Sequence, residues 1–74
     1  MRRPPISGKK LIAILKKLGF KEVRQRGSHV RMEKITPEMN YKITIPLHKE
    51  LKKKTLSKIL QAAEISIEEF SEFI

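Results

Sequence analysis

The residues best equipped for chemistry in this 74-residue chain fall in one short run, Arg24-Gln25-Arg26-Gly27-Ser28-His29-Val30-Arg31. An imidazole exchanges protons near neutral pH without help from burial. Guanidinium groups grip phosphate oxygens and stabilise negative charge developing on them. Together these suit a substrate that carries its own nucleophile. If His29 takes the proton of a ribose 2′-OH in RNA, that oxygen attacks the adjacent phosphorus while Arg24, Arg26 and Arg31 hold the phosphoryl oxygens. Such a reaction calls for no metal and no cofactor, and the sequence has no carboxylate cluster of the kind that binds a metal. Ser28 reads as a turn residue that can touch phosphate, because no Ser-His-Asp arrangement surrounds it. No second proton-transfer group is readable.

Composition narrows the partner. Seventeen Lys and Arg against eight Asp and Glu leave a formal charge of +9, and basic side chains gain affinity for nucleic acid by displacing its condensed counterions. The run Lys52-Lys53-Lys54, placed before a helix, offers further phosphate contacts. His48, beyond Pro46 at a strand end, suits ordering of the connector or contact with RNA better than catalysis. Without cysteine there is no disulfide, thiolate zinc site or cysteine nucleophile, and His29 with His48 cannot complete a structural zinc site. A domain of this size buries only about 60% of its unfolded surface, so chemistry belongs on an open face rather than in an enclosed cofactor pocket. No apolar stretch approaches a membrane span and the amino terminus lacks an apolar signal core, which predicts a cytoplasmic protein.

The elements that must hold these residues follow from periodicity. Ser7 predicts an N-cap, and Leu11, Ile14, Leu15 and Leu18 a helical stripe over residues 8–18, stopped by Gly19 and Phe20. Residues 21–26 and 29–34 predict two strands joined by a two-residue turn with Gly27 first. That turn pairs Arg26 with His29, Gln25 with Val30, Arg24 with Arg31, Val23 with Met32 and Glu22 with Glu33. Val23, Val30 and Met32 then face the core, and Arg24, Arg26, His29 and Arg31 face solvent. Tyr41, Ile43 and Ile45 alternate as a third strand with its apolar side, Tyr41 included, in the core. Thr55 is expected to cap a second helix carrying Leu56, Ile59, Leu60 and Ala63. Ser66 with Glu69 predicts a capping box, and Ile65 with Phe70 a hydrophobic staple. The result is an α+β fold of order α-β-β-β-α, a three-stranded antiparallel sheet with its helices on one face, forming a single domain over residues 1–74 behind a basic lead-in, residues 1–6, whose prolines block early helix.

Five ordered segments carry a family resemblance: Pro4-Pro5-Ile6-Ser7-Gly8-Lys9-Lys10-Leu11, Leu18-Gly19-Phe20, Arg24-Gln25-Arg26-Gly27-Ser28-His29, Ile45-Pro46-Leu47-His48 and Thr55-Leu56-Ser57-Lys58-Ile59-Leu60. In this order and spacing they resemble the HicA toxin family, and the closing Ala63 to Phe70 is similar to that family's usual ending. The resemblance implies a fold like the double-stranded RNA-binding domain, and endoribonuclease activity that cleaves messenger RNA and arrests translation. It also implies a HicB-type antitoxin partner and a catalytic role for His29. Lys54 departs from the family pattern, which has Gly before the helix-opening Thr, and Val30-Arg31-Met32 stands where relatives often carry another histidine or an aromatic. Two rival readings keep the same basic surface without the chemistry: a non-catalytic RNA-binding module and an adaptor for an acidic protein.

Overall fold

The structure, a computed structural model, describes residues 6–74, so the expected effect of Pro4 and Pro5 lies outside the described residues. Along the chain run α1 (Gly8–Lys17), β1 (Lys21–Arg26), β2 (His29–Ile35), β3 (Asn40–Pro46), α2 (Lys53–Ala62) and a short α3 (Ile67–Ser71). The Lys10 N–H donates to the Ser7 hydroxyl at 3.0 Å, capping α1 as expected. At the other end Gly19 adopts φ +101°. The Phe20 N–H donates to the Leu15 carbonyl at 2.9 Å and the Gly19 N–H to that of Lys16 at 3.2 Å, the paired bonds of a Schellman stop that turns Phe20 into the core.

The strands form one antiparallel sheet in the order β1-β2-β3. Positive φ at Gly27 and not at Ser28 gives the expected two-residue turn. Val30 and Met32 of β2 and Ile43 and Ile45 of β3 are buried on one face, in a single cluster with Leu11, Ile14 and Leu15 of α1, Ile59 and Leu60 of α2, and Phe70 of α3. Each such side chain contributes about 1.5–3 kcal/mol by leaving water, which decides which face the helices cover. Both main helices lie against β3.

One strand departs from the expected register. Glu22, not Val23, stands opposite Met32, and Lys21 stands opposite Glu33, because Val23 is the extra residue of a β-bulge. A one-residue slip sends every earlier side chain of the strand to the other face. Val23, expected in the core, is therefore 51% exposed, and the expected Glu22–Glu33 opposition does not form. Instead Glu22 turns to the helix side and pairs with Lys16 at 2.8 Å. The physical reason is where the helices sit: both main helices pack mainly on β3 and no residue of β1 is buried, so holding Val23 inward would have gained little apolar burial.

Two further expectations change. The second helix starts at Lys53 after Lys52, which makes no side-chain cap, so Thr55 lies inside the first turn. Leu51, buried and hydrogen-bonded through its N–H to the Ile6 carbonyl at 2.8 Å, ends the connector early enough for the helix to begin there. Tyr41 is only partly buried: its ring lies 6.3 Å from that of Phe20, and its hydroxyl donates to Glu64 Oε1 at 2.9 Å. Glu64 itself adopts φ +54° at the C-terminal stop of α2, a conformation that costs a non-glycine residue about 1–2 kcal/mol and that the Tyr41 bond helps to hold. The capping box of Ser66 and Glu69 is present as expected, with bonds of 3.0 and 3.4 Å.

The Tyr41 hydroxyl is held above its usual pKa of 10.0, first by the hydrogen bond to Glu64, then by burial and by the charges of Glu64 and Glu38. Because the folded value is raised, the stability this contact supplies is complete below the unfolded value and is lost as pH rises through the folded one. With one tyrosine and no tryptophan, phenolate absorbance reads this group alone. The midpoint should lie above 10.0 in the parent and move down in Glu64→Gln; an identical midpoint in both would show that the carboxylate does not hold the hydroxyl.

The connector between β3 and α2 is stitched to both neighbours: the Leu47 N–H donates to the Ser28 carbonyl at 2.7 Å, and the Gly8 N–H to that of His48 at 2.9 Å. So close is the start of α1 to this segment that a Cβ on Gly8 would collide with the Pro46 carbonyl. Gly8→Ala should cost about 1–3 kcal/mol through overpacking, out of a total of roughly 4–11 for a domain of this length. An unchanged denaturation midpoint would mean that the helix start stands off β3.

Candidate active site

On the open face of the sheet the turn and the strand alternation converge. Arg26 stands opposite His29 and Arg24 opposite Arg31, while β3 places Thr44 opposite Arg31 and Pro46 opposite His29. Arg24, Arg26, His29, Arg31 and Thr44 together line a shallow hollow of about 220 Å³. That is smaller than the usual 300–1,000 Å³ of small-molecule sites, and it suits a phosphate and ribose of a strand passing over it. His29 opens the central strand, with neighbours on both sides, so its backbone is fixed by the ladder and not by a loop.

The electrostatics are unbalanced. Like charges directly opposite across a sheet destabilise it, yet among the described residues the one ion pair joins Lys16 to Glu22, away from the hollow. Arg24, Arg26 and Arg31 therefore present their donors to solvent without a carboxylate. A bound anion would relieve that repulsion, and in a guanidinium cluster a phosphodiester is matched in both charge and geometry.

The structure brings together four of the sequence-predicted residues, Arg24, Arg26, His29 and Arg31. Ser28 is exposed in the adjoining turn, where its carbonyl holds Leu47. Lys52, Lys53 and Lys54 are exposed at the start of α2 and do not line the hollow. His48 is exposed in the connector, and its carbonyl accepts the Gly8 N–H. Sequence reasoning gave Thr44 no role; the signal was its place between Ile43 and Ile45, which alternation turns to the open face. Its hydroxyl adds an uncharged donor and acceptor to the lining beside the three guanidiniums. Among the described residues no three His, Cys, Asp or Glu side chains gather as metal ligands, and no helix is long and apolar enough to cross a membrane.

Comparison with known proteins adds one match. A family model described as HicA toxin of bacterial toxin-antitoxin matches residues 8–65, from the first residue of α1 through the stop of α2. None of the curated proteins matches the chain.

Proposed function

The chain belongs to the HicA toxin family of bacterial toxin-antitoxin systems, and from that premise we propose that it is a metal-independent endoribonuclease that binds and cleaves messenger RNA in the cytoplasm. Translation stops until a HicB-type antitoxin neutralises it, and residues 1–74 act as one domain. The observation that carries this reading is His29 ringed by Arg24, Arg26 and Arg31, with no acidic partner, on an open sheet face. In the mechanism His29 accepts the proton of the ribose 2′-OH, the freed oxygen bonds to the adjacent phosphorus, and the bond to the 5′-oxygen of the next nucleotide breaks, that oxygen taking a proton from water to leave as a 5′-hydroxyl. The arginines hold the phosphoryl oxygens as charge builds on them. Ser28, Lys52, Lys53 and Lys54 contact phosphates along the flanking strand.

A second reading, a non-catalytic RNA-binding module of the same fold, draws support from the lining of the hollow. It holds one imidazole and no further group that transfers protons near neutrality. Incubation with RNA in EDTA decides between them: cleavage lost in His29→Ala supports the nuclease, and binding without cleavage supports the module.

A further inference from the structure

The bulge in β1 builds a second hollow beside the first. Its lining is Val23, Arg24, Arg31 and Glu33, so the two hollows share the Arg24–Arg31 pair as a common wall. Without the bulge Val23 would face the helices; with it, an isopropyl group stands 51% exposed beside Arg24 on the open face, where Ile35, two residues beyond Glu33, is the other large apolar side chain exposed at this end of the sheet. Glu33 is partly buried. It lies opposite Lys21 on one side and Lys42 on the other, yet among the described residues no ion pair or side-chain hydrogen bond engages its carboxylate. An apolar patch and an unengaged acceptor-only group thus sit side by side, next to a site built for phosphate.

The geometry points to this hollow as the pocket for the nucleobase next to the cleaved phosphodiester, with guanine as the base it selects. This rests on RNA as the occupant of the neighbouring hollow, as proposed above, but not on His29 as the catalyst. Phosphates of the strand lie on the Arg24–Arg31 wall, and the base plane packs on Val23. The aromatic side chains of the chain, Phe20, Tyr41, Phe70 and Phe73, all pack in or against the core, so stacking on a ring is not open to this face. A carboxylate accepts only, through two oxygens. Guanine alone presents two adjacent donors on its Watson–Crick edge, N1–H and the 2-amino group, and fills both oxygens at once. Adenine and cytosine offer one amino donor beside a ring nitrogen whose lone pair repels the carboxylate, and uracil sets one N–H between two carbonyls.

The test uses chimeric oligonucleotides in which a single ribonucleotide fixes the cleaved bond, with each base in turn at the neighbouring positions and inosine in place of guanine. The full-length parent is assayed for cleavage, and His29→Ala for binding. A bidentate contact predicts that guanine is favoured about tenfold or more over the other bases at one neighbouring position. Inosine should lose much of that preference. Glu33→Gln, checked for folding by circular dichroism, should bring the ratio toward one, because an amide offers a single acceptor oxygen. Cleavage without base preference, or a guanine preference that survives Glu33→Gln, overturns the pocket and leaves the nuclease standing. Guanine-selective binding without cleavage supports the pocket and removes the nuclease. Absence of any RNA binding overturns both.

Discussion

Replacing His29 by alanine should abolish RNA cleavage and growth arrest while leaving the fold intact. The side chain is exposed on the open face and makes no hydrogen bond to any described residue, and substitutions at such positions usually change stability by less than about 0.5 kcal/mol. The loss of activity should be far larger, because general acid–base catalysis typically contributes about 100- to 10,000-fold. The other groups lining the hollow, three guanidiniums and the Thr44 hydroxyl, do not exchange protons readily near neutrality. His48→Ala is the control. Its imidazole lies in the connector, outside the hollow, and that variant should keep cutting. A His29→Ala protein that cleaves at the parent rate, or that is inactive only because it is unfolded, would remove His29 from the mechanism.

The second large effect is on salt dependence. Binding dominated by phosphate neutralisation weakens steeply with ionic strength, and each phosphate contact removed should lower the log–log slope by about 0.7 for a single strand. Changing Arg24, Arg26 and Arg31 together to glutamine should therefore reduce the slope by about 2. Lys16 and Lys17 belong to α1, which packs on the other side of the sheet, and their removal should change the slope much less. Affinity that is independent of salt, or that responds equally to both sets of substitutions, contradicts the open face as the RNA surface.

What was legible in the sequence was local. A two-residue turn at Gly27-Ser28 dictates which residues face each other for three pairs, so the clustering of Arg24, Arg26, His29 and Arg31 follows from chain geometry alone. The caps at Ser7, Gly19 and Ser66 are equally short-range, since each hydrogen bond closes within five residues. What was not legible depended on packing between distant segments. Alternation placed Val23 inward, but alternation assumes that a helix buries the strand, whereas the main helices pack mainly on β3 and no residue of β1 is buried. Thr55 had the chemistry of a cap, yet the tie between Leu51 and Ile6 starts the helix sooner. The need for glycine at position 8 arises only where α1 meets the end of β3. The same limit hid the second hollow, which exists because of the bulge.

The chemical identity of the new RNA ends tests the central claim most directly. The protein is incubated with a defined RNA in EDTA and the termini are identified by mass spectrometry. Attack by the 2′-OH under His29 leaves a 2′,3′-cyclic phosphate, or the phosphate formed on its opening, on the upstream fragment and a 5′-hydroxyl on the downstream one, and a 2′-deoxy substitution at the cleaved nucleotide stops the reaction. A 5′-phosphate with a 3′-hydroxyl, or cleavage that survives the 2′-deoxy substitution, would mean that water and not the ribose is the nucleophile, and the mechanism built on His29 and its three arginines would be wrong.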